Sequence, residues 1–459
     1  MTCLVFCLSL VGGAGAAEAP KGEPPIRLRA WGVPSAFGVG PMEEANRMIM
    51  DAFRAKHPGV EPVSATGLIL PSATATMDMV PFMQIAGDIA PDAVYVNFRF
   101  SQTYIDKRLL YPLDRYIEQI AGVSPPDSGV LANEAYVELL KSGAGWERVA
   151  DRVPMPSWEV IRRLCPYGLS CPYRREWGQP PEERHRHVWA YPVGPVVMAL
   201  SYDRSLFAEH AEEGVEERAP RDWEEMLRWA KLVTDPEKNE YGFQVVLEAP
   251  AWTFLNFLYS AGGRVVRQDA NGDWYCTLDT EEAVEAGYFF ARLRHEPVVR
   301  DGKVIARGVV RVSESGSTEP VRFGMTFAYL DQRYLTAAGD QTRAVGPVPR
   351  GPTAVRGSEF NAQMCGVFSG LKDQPRRRDA AWNYIQFYDG PEARRIRTAK
   401  MVEGGLGKYV ARRQLERFNE GGRYDSVIRQ VSPELERVYE VAFASGVPEP
   451  YGRGCSVVY

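Results

Sequence analysis

Aromatic and planar polar side chains stand in pairs at four loop-like places in this sequence: Trp31 with Phe37, Asn97 with Phe98, Trp252 with Phe254, and Tyr329 with Asp331. Such pairs suit holding a ligand more than transforming one. Aromatic rings offer large apolar area, with a polar tip on Tyr and Trp, while Asn and Asp bond hydroxyls directionally. Each aromatic has core packing as its alternative reading, and Trp223 and Trp382, at helical positions, read as core. His185-Arg186-His187 together with Cys165 and Cys171 offers zinc-type ligands. Their spacing matches no standard zinc module, so the expectation is exposed loop histidines with a disulfide or free thiols, and no metal site. The sequence contains no His-Glu-x-x-His, no Gly-x-Ser-x-Gly and no P-loop. No carboxylate pair can be nominated as acid and nucleophile without contacts, so no catalytic residue and no cofactor is assigned.

Elements of a parallel α/β architecture must carry these loops. Residues 26–31 alternate as a strand, and the helical spacing of Ala45, Met48, Ile49, Ala52 and Phe53 predicts a helix over 42–56 that stops at His57-Pro58-Gly59. A second strand begins at Val60, a helix covers about 75–86, and Ala90 to Asn97 is a short apolar strand. Strand, helix, strand implies a parallel sheet, and ligands of open α/β sheets sit outside the carboxyl ends of the strands. Asn97 and Phe98 fall at that place. From about Ser124 to His187 the rhythm breaks, which reads as a long insertion. It resumes with an extended crossing from Val188 to Gly194 and a strand at 198–202. Asp222, with Glu225 three residues on, caps a helix running to about Val233. An aromatic helix over 252–259 stops at Gly262-Gly263, Asn271-Gly272-Asp273 marks a hairpin, and a helix covers 280–294. A buried strand at 323–327 and a helix at 380–388 follow.

The 459 residues exceed one ordinary core and suit two lobes. A net charge of −5, with Arg376-Arg377-Arg378 as the one compact basic run, argues against a nucleic-acid partner. Apolar residues from Cys3 to Val11 before Ala14-Gly15-Ala16 read as an export signal over 1–16, with a mature start near Ala17 but without the usual basic n-region. That stretch is shorter than the roughly 17 to 25 residues a membrane span needs. Cys165, Cys171, Cys276, Cys365 and Cys455 remain after the signal, an odd number, and the near pair Cys165 and Cys171 can close a short loop.

Several segments, in order, resemble the extracellular solute-binding proteins of ABC sugar importers. They are Gly87-Asp88-Ile89-Ala90-Pro91-Asp92, Leu110-Tyr111-Pro112-Leu113-Asp114, Tyr191-Pro192, Leu200 to Phe207, Pro220 to Glu225, Trp252 to Gly263 and Val345 to Gly351. The resemblance covers about 26–410. It implies an α/β, two-lobed periplasmic-binding-protein fold, each lobe a mainly parallel sheet flanked by helices, with the ligand in the cleft between. Lobe one is then expected over 26–191 and 321–360, with the insertion at about 124–187, and lobe two over 192–320 and 361–459. Hinges are expected at Tyr191 to Pro195 and Phe360 to Gly366, closing around ligand as binding proteins of this type do. After Glu449 the family's usual final helix is missing, so the expectation is either a truncated tail or an unusual path. The implied function is an exported monomer, periplasmic or extracellular, that binds a small solute, a carbohydrate by preference, and delivers it to a membrane permease. A receptor feeding a sensor and an exported carbohydrate hydrolase are the competing readings.

Overall fold

The structure is a computed structural model that describes residues 24–34, 38–65, 76–121, 152–211, 218–247, 250–269, 271–313, 320–330 and 343–455. The export signal, Phe37 and Asp331 therefore lie outside the described residues.

The first lobe opens with β1 (Ile26–Ala30), which runs parallel to β2 (Val60–Ser64) and β3 (Ala93–Val96). Between β1 and β2, the helix Pro41–Lys56 buries Ala45, Ile49, Met50 and Phe53. Its spacing gives one apolar stripe, and proline at its start costs no hydrogen bond because that N–H has no intrahelical acceptor. It stops where predicted: His57, ahead of Pro58, leaves the helical region at φ −127° and ψ 65°. Met48, expected on the buried face, is 41% exposed, and Met50 takes its place in the core. The short strand β4 (Leu110–Tyr111) follows, and the described part of the insertion contributes an antiparallel ribbon of β5 (Arg162–Leu164) and β6 (Arg186–Val188).

The chain then crosses on β7 (Tyr191–Asp203). The second lobe contains β8 (Glu240–Val246), the hairpin β9 (Val266–Gln268) and β10 (Trp274–Cys276), a ribbon of β11 (Pro297–Arg300) and β12 (Lys303–Arg307), then β13 (Val310–Ser313), β14 (Arg322–Tyr329) and β15 (Arg343–Gly346). The return strand β16 (Ser358–Phe368) and the short β17 (Gly446–Pro448) complete the set. Along the main sheet the order is β13-β8-β14-β7-β16-β3-β1-β2, parallel within each lobe at β13-β8-β14 and at β3-β1-β2. In the middle, β7 and β16 run antiparallel to each other, so the two crossings are hydrogen-bonded together.

This connectivity corrects the expected lobe boundaries on the return path. Segment 321–360 was expected in lobe one, yet β14 pairs with β8, and Met325, Phe327 and Val348 pack in the second core. Segment 361–459 was expected in lobe two, yet Met364, Trp382, Ile385, Ile396, Val438 and Phe443 pack in the first. The physical reason is sheet order. Once β7 has crossed, β14 can satisfy its backbone only beside β8 and β7, and the chain returns to the first sheet only when β16 pairs with β3.

Both expected hinge segments lie on these crossing strands. Pairing slips by one residue between Ala362 and Gln363, opposite Gly194, which adopts φ 62°. This is a bulge with glycine in the left-handed region, a device that bends a strand. A Cβ at Gly194 would meet nothing within 4 Å, so the Gly194→Ala variant should lose stability through backbone conformation alone. A loss of about 1–2 kcal/mol in urea unfolding is expected, and an unchanged midpoint would show that the crossing tolerates another geometry.

Candidate functional site

At the carboxyl ends of β1 and β3, local rules set three of the predicted residues. Asn97 follows β3 and caps the helix Phe98–Asp106, its Oδ1 accepting from the Arg99 N–H at 3.0 Å. Its Nδ2 reaches the Tyr95 hydroxyl at 3.4 Å, and Trp31 stacks on Tyr95 with ring centroids 5.0 Å apart. Phe98 is fully buried, 6.3 Å from the Phe360 ring. As the first residue of the helix it points into the first core, so its expected place as a ligand contact is corrected to packing.

Helix Pro250–Ser260 of the second lobe brings Trp252 to the same junction. The Arg99 guanidinium lies 6.0 Å from the Trp252 ring, and Tyr329, at the end of β14, meets that ring edge-on at 6.4 Å. The Trp252 indole N–H donates to Glu449 Oε1 at 3.3 Å, while Asn361 Nδ2 donates to Glu449 Oε2 at 2.6 Å and lies 3.5 Å from the Tyr329 hydroxyl. Phe254, two residues on, turns to the second core and packs 6.0 Å from Phe290. The structure thus gathers Trp31, Asn97, Trp252 and Tyr329 along one belt and leaves Phe98 and Phe254 in the cores.

Sequence reasoning missed Arg99, Asn361, Glu359 and Glu449. Asn361 lay within a segment expected to hinge, but no local signal ties Glu449 to Trp252, 197 positions away. Glu359 and Glu449 are both 0% exposed. The Glu359 N–H donates to Asn256 Oδ1 at 3.0 Å, yet neither of its carboxyl oxygens meets a hydrogen-bond partner among the described residues. Burial first, and then the charge of Glu449, pushes the Glu359 carboxyl well above the ordinary carboxylate range. Desolvation and the same two carboxyls also raise the Tyr329 phenol. A carboxyl held neutral can donate a hydrogen bond as well as accept one. Beside Trp252, Tyr329 and Asn361, it completes a site of rings and directional polar groups.

After Glu449 the tail packs against the insertion. Arg163 of the insertion is buried between the rings of Trp274, at 4.8 Å, and Tyr451, at 4.5 Å, and bonds the Tyr451 carbonyl at 3.2 Å. Trp274 belongs to β10 of the second lobe, so the tail and the insertion together touch that lobe. A separate open groove lined by Arg27, Arg29, Ser64, Arg376 and Arg377 contains none of these residues and flanks β1 and β2.

Two α/β cores joined by paired crossing strands, with a ring-lined junction at the carboxyl ends of the strands, define a two-lobed binding protein. The chain belongs to the bacterial extracellular solute-binding proteins, whose family model matches residues 40–395. No curated protein sequence matches it. Among solved structures it is similar to the ABC substrate-binding protein Lmo0181 from Listeria monocytogenes in complex with cycloalternan, at 16% identity over 95% of this chain and 90% of that one, TM-score 0.57. The cyclic alpha-maltosyl-1,6-maltose binding protein from Arthrobacter globiformis matches at 15% identity over 95% and 91%, TM-score 0.59. Maltose-bound MalE3 of T. maritima matches at 16% over 94% and 90%, TM-score 0.56. At these identities the likeness is one of fold. No helix among the described residues is long and apolar enough to cross a membrane.

Proposed function

We propose that this chain is the carbohydrate-binding component of an ABC importer, exported by the signal over residues 1–16, and that it presents its ligand to a membrane permease. The observation that carries the ligand class is the belt at the junction: Trp252 and Tyr329 from one lobe, Asn97 and Arg99 from the other, and Asn361 with Glu449 on the return path. Sugars present apolar C–H faces ringed by hydroxyls, so rings beside planar polar groups match them on both counts. Neighbours of the same fold carry cycloalternan and maltose, which points the same way. Closing on the paired crossings brings the two halves of the belt together, and ligand favours that state by its differential affinity for it.

Thermal melting of the mature protein against oligosaccharides, monosaccharides, polyols and glycerophosphodiesters tests this reading. A ligand at one hundred times its Kd adds about 2.7 kcal/mol to the folded state, so one carbohydrate class should raise the Tm clearly. A shift confined to glycerophosphodiesters would reassign the ligand, and no shift with any compound would overturn the reading.

A further inference from the structure

We propose that Cys165, Cys171, His185 and His187 form a structural zinc site inside the insertion. The sequence expectation of exposed loop histidines is corrected by burial: His185 is 6% and His187 2% exposed. Cys171 is buried too, and neither it nor Cys165 is in a disulfide. The four ligand atoms all lie within 4.8 Å of one another. Between Cys171 Sγ and His187 Nε2 the distance is 3.4 Å. A tetrahedron with Zn–S of about 2.3 Å and Zn–N of about 2.0–2.1 Å has an S···N edge of roughly 3.5 Å, so that edge is already formed.

Strand pairing explains why ligands with no familiar spacing converge. In the β5-β6 ribbon Arg163 faces His187, and the Cys165 N–H continues the ladder to the His185 carbonyl at 2.9 Å. His187 lies on β6 and His185 immediately before that strand, two residues away, and their rings lie 4.9 Å apart on the same side. Cys171 arrives from the turn that precedes the helix Pro172–Glu176.

The surroundings of both imidazoles are those of metal ligands. His187 Nδ1 lies 3.3 Å from Asp114 Oδ2, itself held by the Val188 N–H at 3.2 Å. His185 Nδ1 lies 2.9 Å from the Glu182 carbonyl, which can only accept, so Nδ1 carries the proton and Nε2 is left with its lone pair. That Nε2 is buried and meets no hydrogen-bond partner among the described residues. A carboxylate behind one histidine and a backbone carbonyl behind the other is the usual outer shell of zinc. The rings of Trp177 and Trp189, each 5.4 Å from His187, and Tyr173, at 6.2 Å, surround the cluster. Four protein ligands leave no open position, which makes the site structural instead of catalytic. Its role would be to pin the ribbon on which the second lobe rests: a Cβ at Gly272 of the β9-β10 turn would lie 2.3 Å from Leu164 and 3.2 Å from Arg184.

Elemental analysis of the full mature chain, purified under reducing conditions with zinc supplied, should give one zinc per chain. Cys171→Ser and His185→Ala should each lose it, while Cys276→Ser, at an exposed thiol, should keep it. Asp114→Asn should keep the stoichiometry but weaken zinc binding about 10- to 100-fold. Cobalt in place of zinc should give the intense visible bands of a tetrahedral ion and a thiolate charge-transfer band. If a ligand variant does not fold, the wild type still decides: Cys165 and Cys171 should resist alkylation until a chelator is added. Absence of tight zinc from the wild type, full stoichiometry in both ligand variants, alkylation indifferent to chelator, or a Cys165–Cys171 disulfide in the exported protein would each overturn the site.

Discussion

Replacing Trp252 by alanine is expected to weaken ligand binding by roughly 30- to 700-fold, the 2–4 kcal/mol of a central aromatic anchor. Trp252 touches groups from both lobes, with Arg99 over its ring and Glu449 accepting from its indole N–H. Its loss removes a stacking surface and also leaves Glu449 one donor short. Isothermal titration with the ligand found by thermal melting measures the effect. Phe254→Leu is the matched control on the same helix, because its ring packs toward Phe290, so it should lower the Tm and leave Kd within about threefold, less than 1 kcal/mol. Equal affinities for the wild type and Trp252→Ala would place the ligand elsewhere.

Between the ordinary glutamate pKa of about 4.3 and the raised value of the folded state, Glu359 should make stability fall as pH rises. The folded protein keeps this proton while the unfolded chain has released it, so the unfolded state binds fewer protons and the slope of unfolding free energy with pH is negative. The contribution is fully present below the unfolded pKa and is lost as pH climbs through the folded one. In that window the slope from one group is at most about 1.4 kcal/mol per pH unit. Glu449, whose charge opposes ionisation, and the Tyr329 hydroxyl are the groups facing it. Glu359→Gln keeps the shape without the titration, so it should flatten the profile above pH 5 and gain stability at neutral pH. Urea midpoints at several pH values give the comparison, and parallel profiles for the two proteins would mean that Glu359 titrates alike in both states.

Much of the first sheet and most helices were legible because their causes are local. Pro58 stops the helix Pro41–Lys56 wherever the chain goes. Asp222 accepts from the Glu225 N–H at 2.8 Å as its spacing predicts, and Asn271-Gly272-Asp273 turns the β9-β10 hairpin. Trp223 and Trp382, at apolar helical positions, are 5% and 3% exposed. Half of the candidate site was legible too, since strand ends are visible in sequence and ligand-facing loops follow them.

The remainder depended on which distant strands pair. Nothing near residue 325 tells it to pack in the second core, or residue 385 in the first; the order β14 beside β8 and β16 beside β3 decides both. Phe98 and Trp252 are aromatic residues at similar loop-to-helix junctions, and only packing sends one inward and the other to the junction. Cys165 and His185 become neighbours through the register of a three-residue ribbon. By itself, then, the sequence determined periodicity, caps, turns and the family these imply, because such features depend on residues a few positions apart. Tertiary structure alone decided the lobe assignment of the return path, the buried pair Glu359 and Glu449, and the cysteine–histidine cluster, because pairing and burial join residues that the chain keeps far apart.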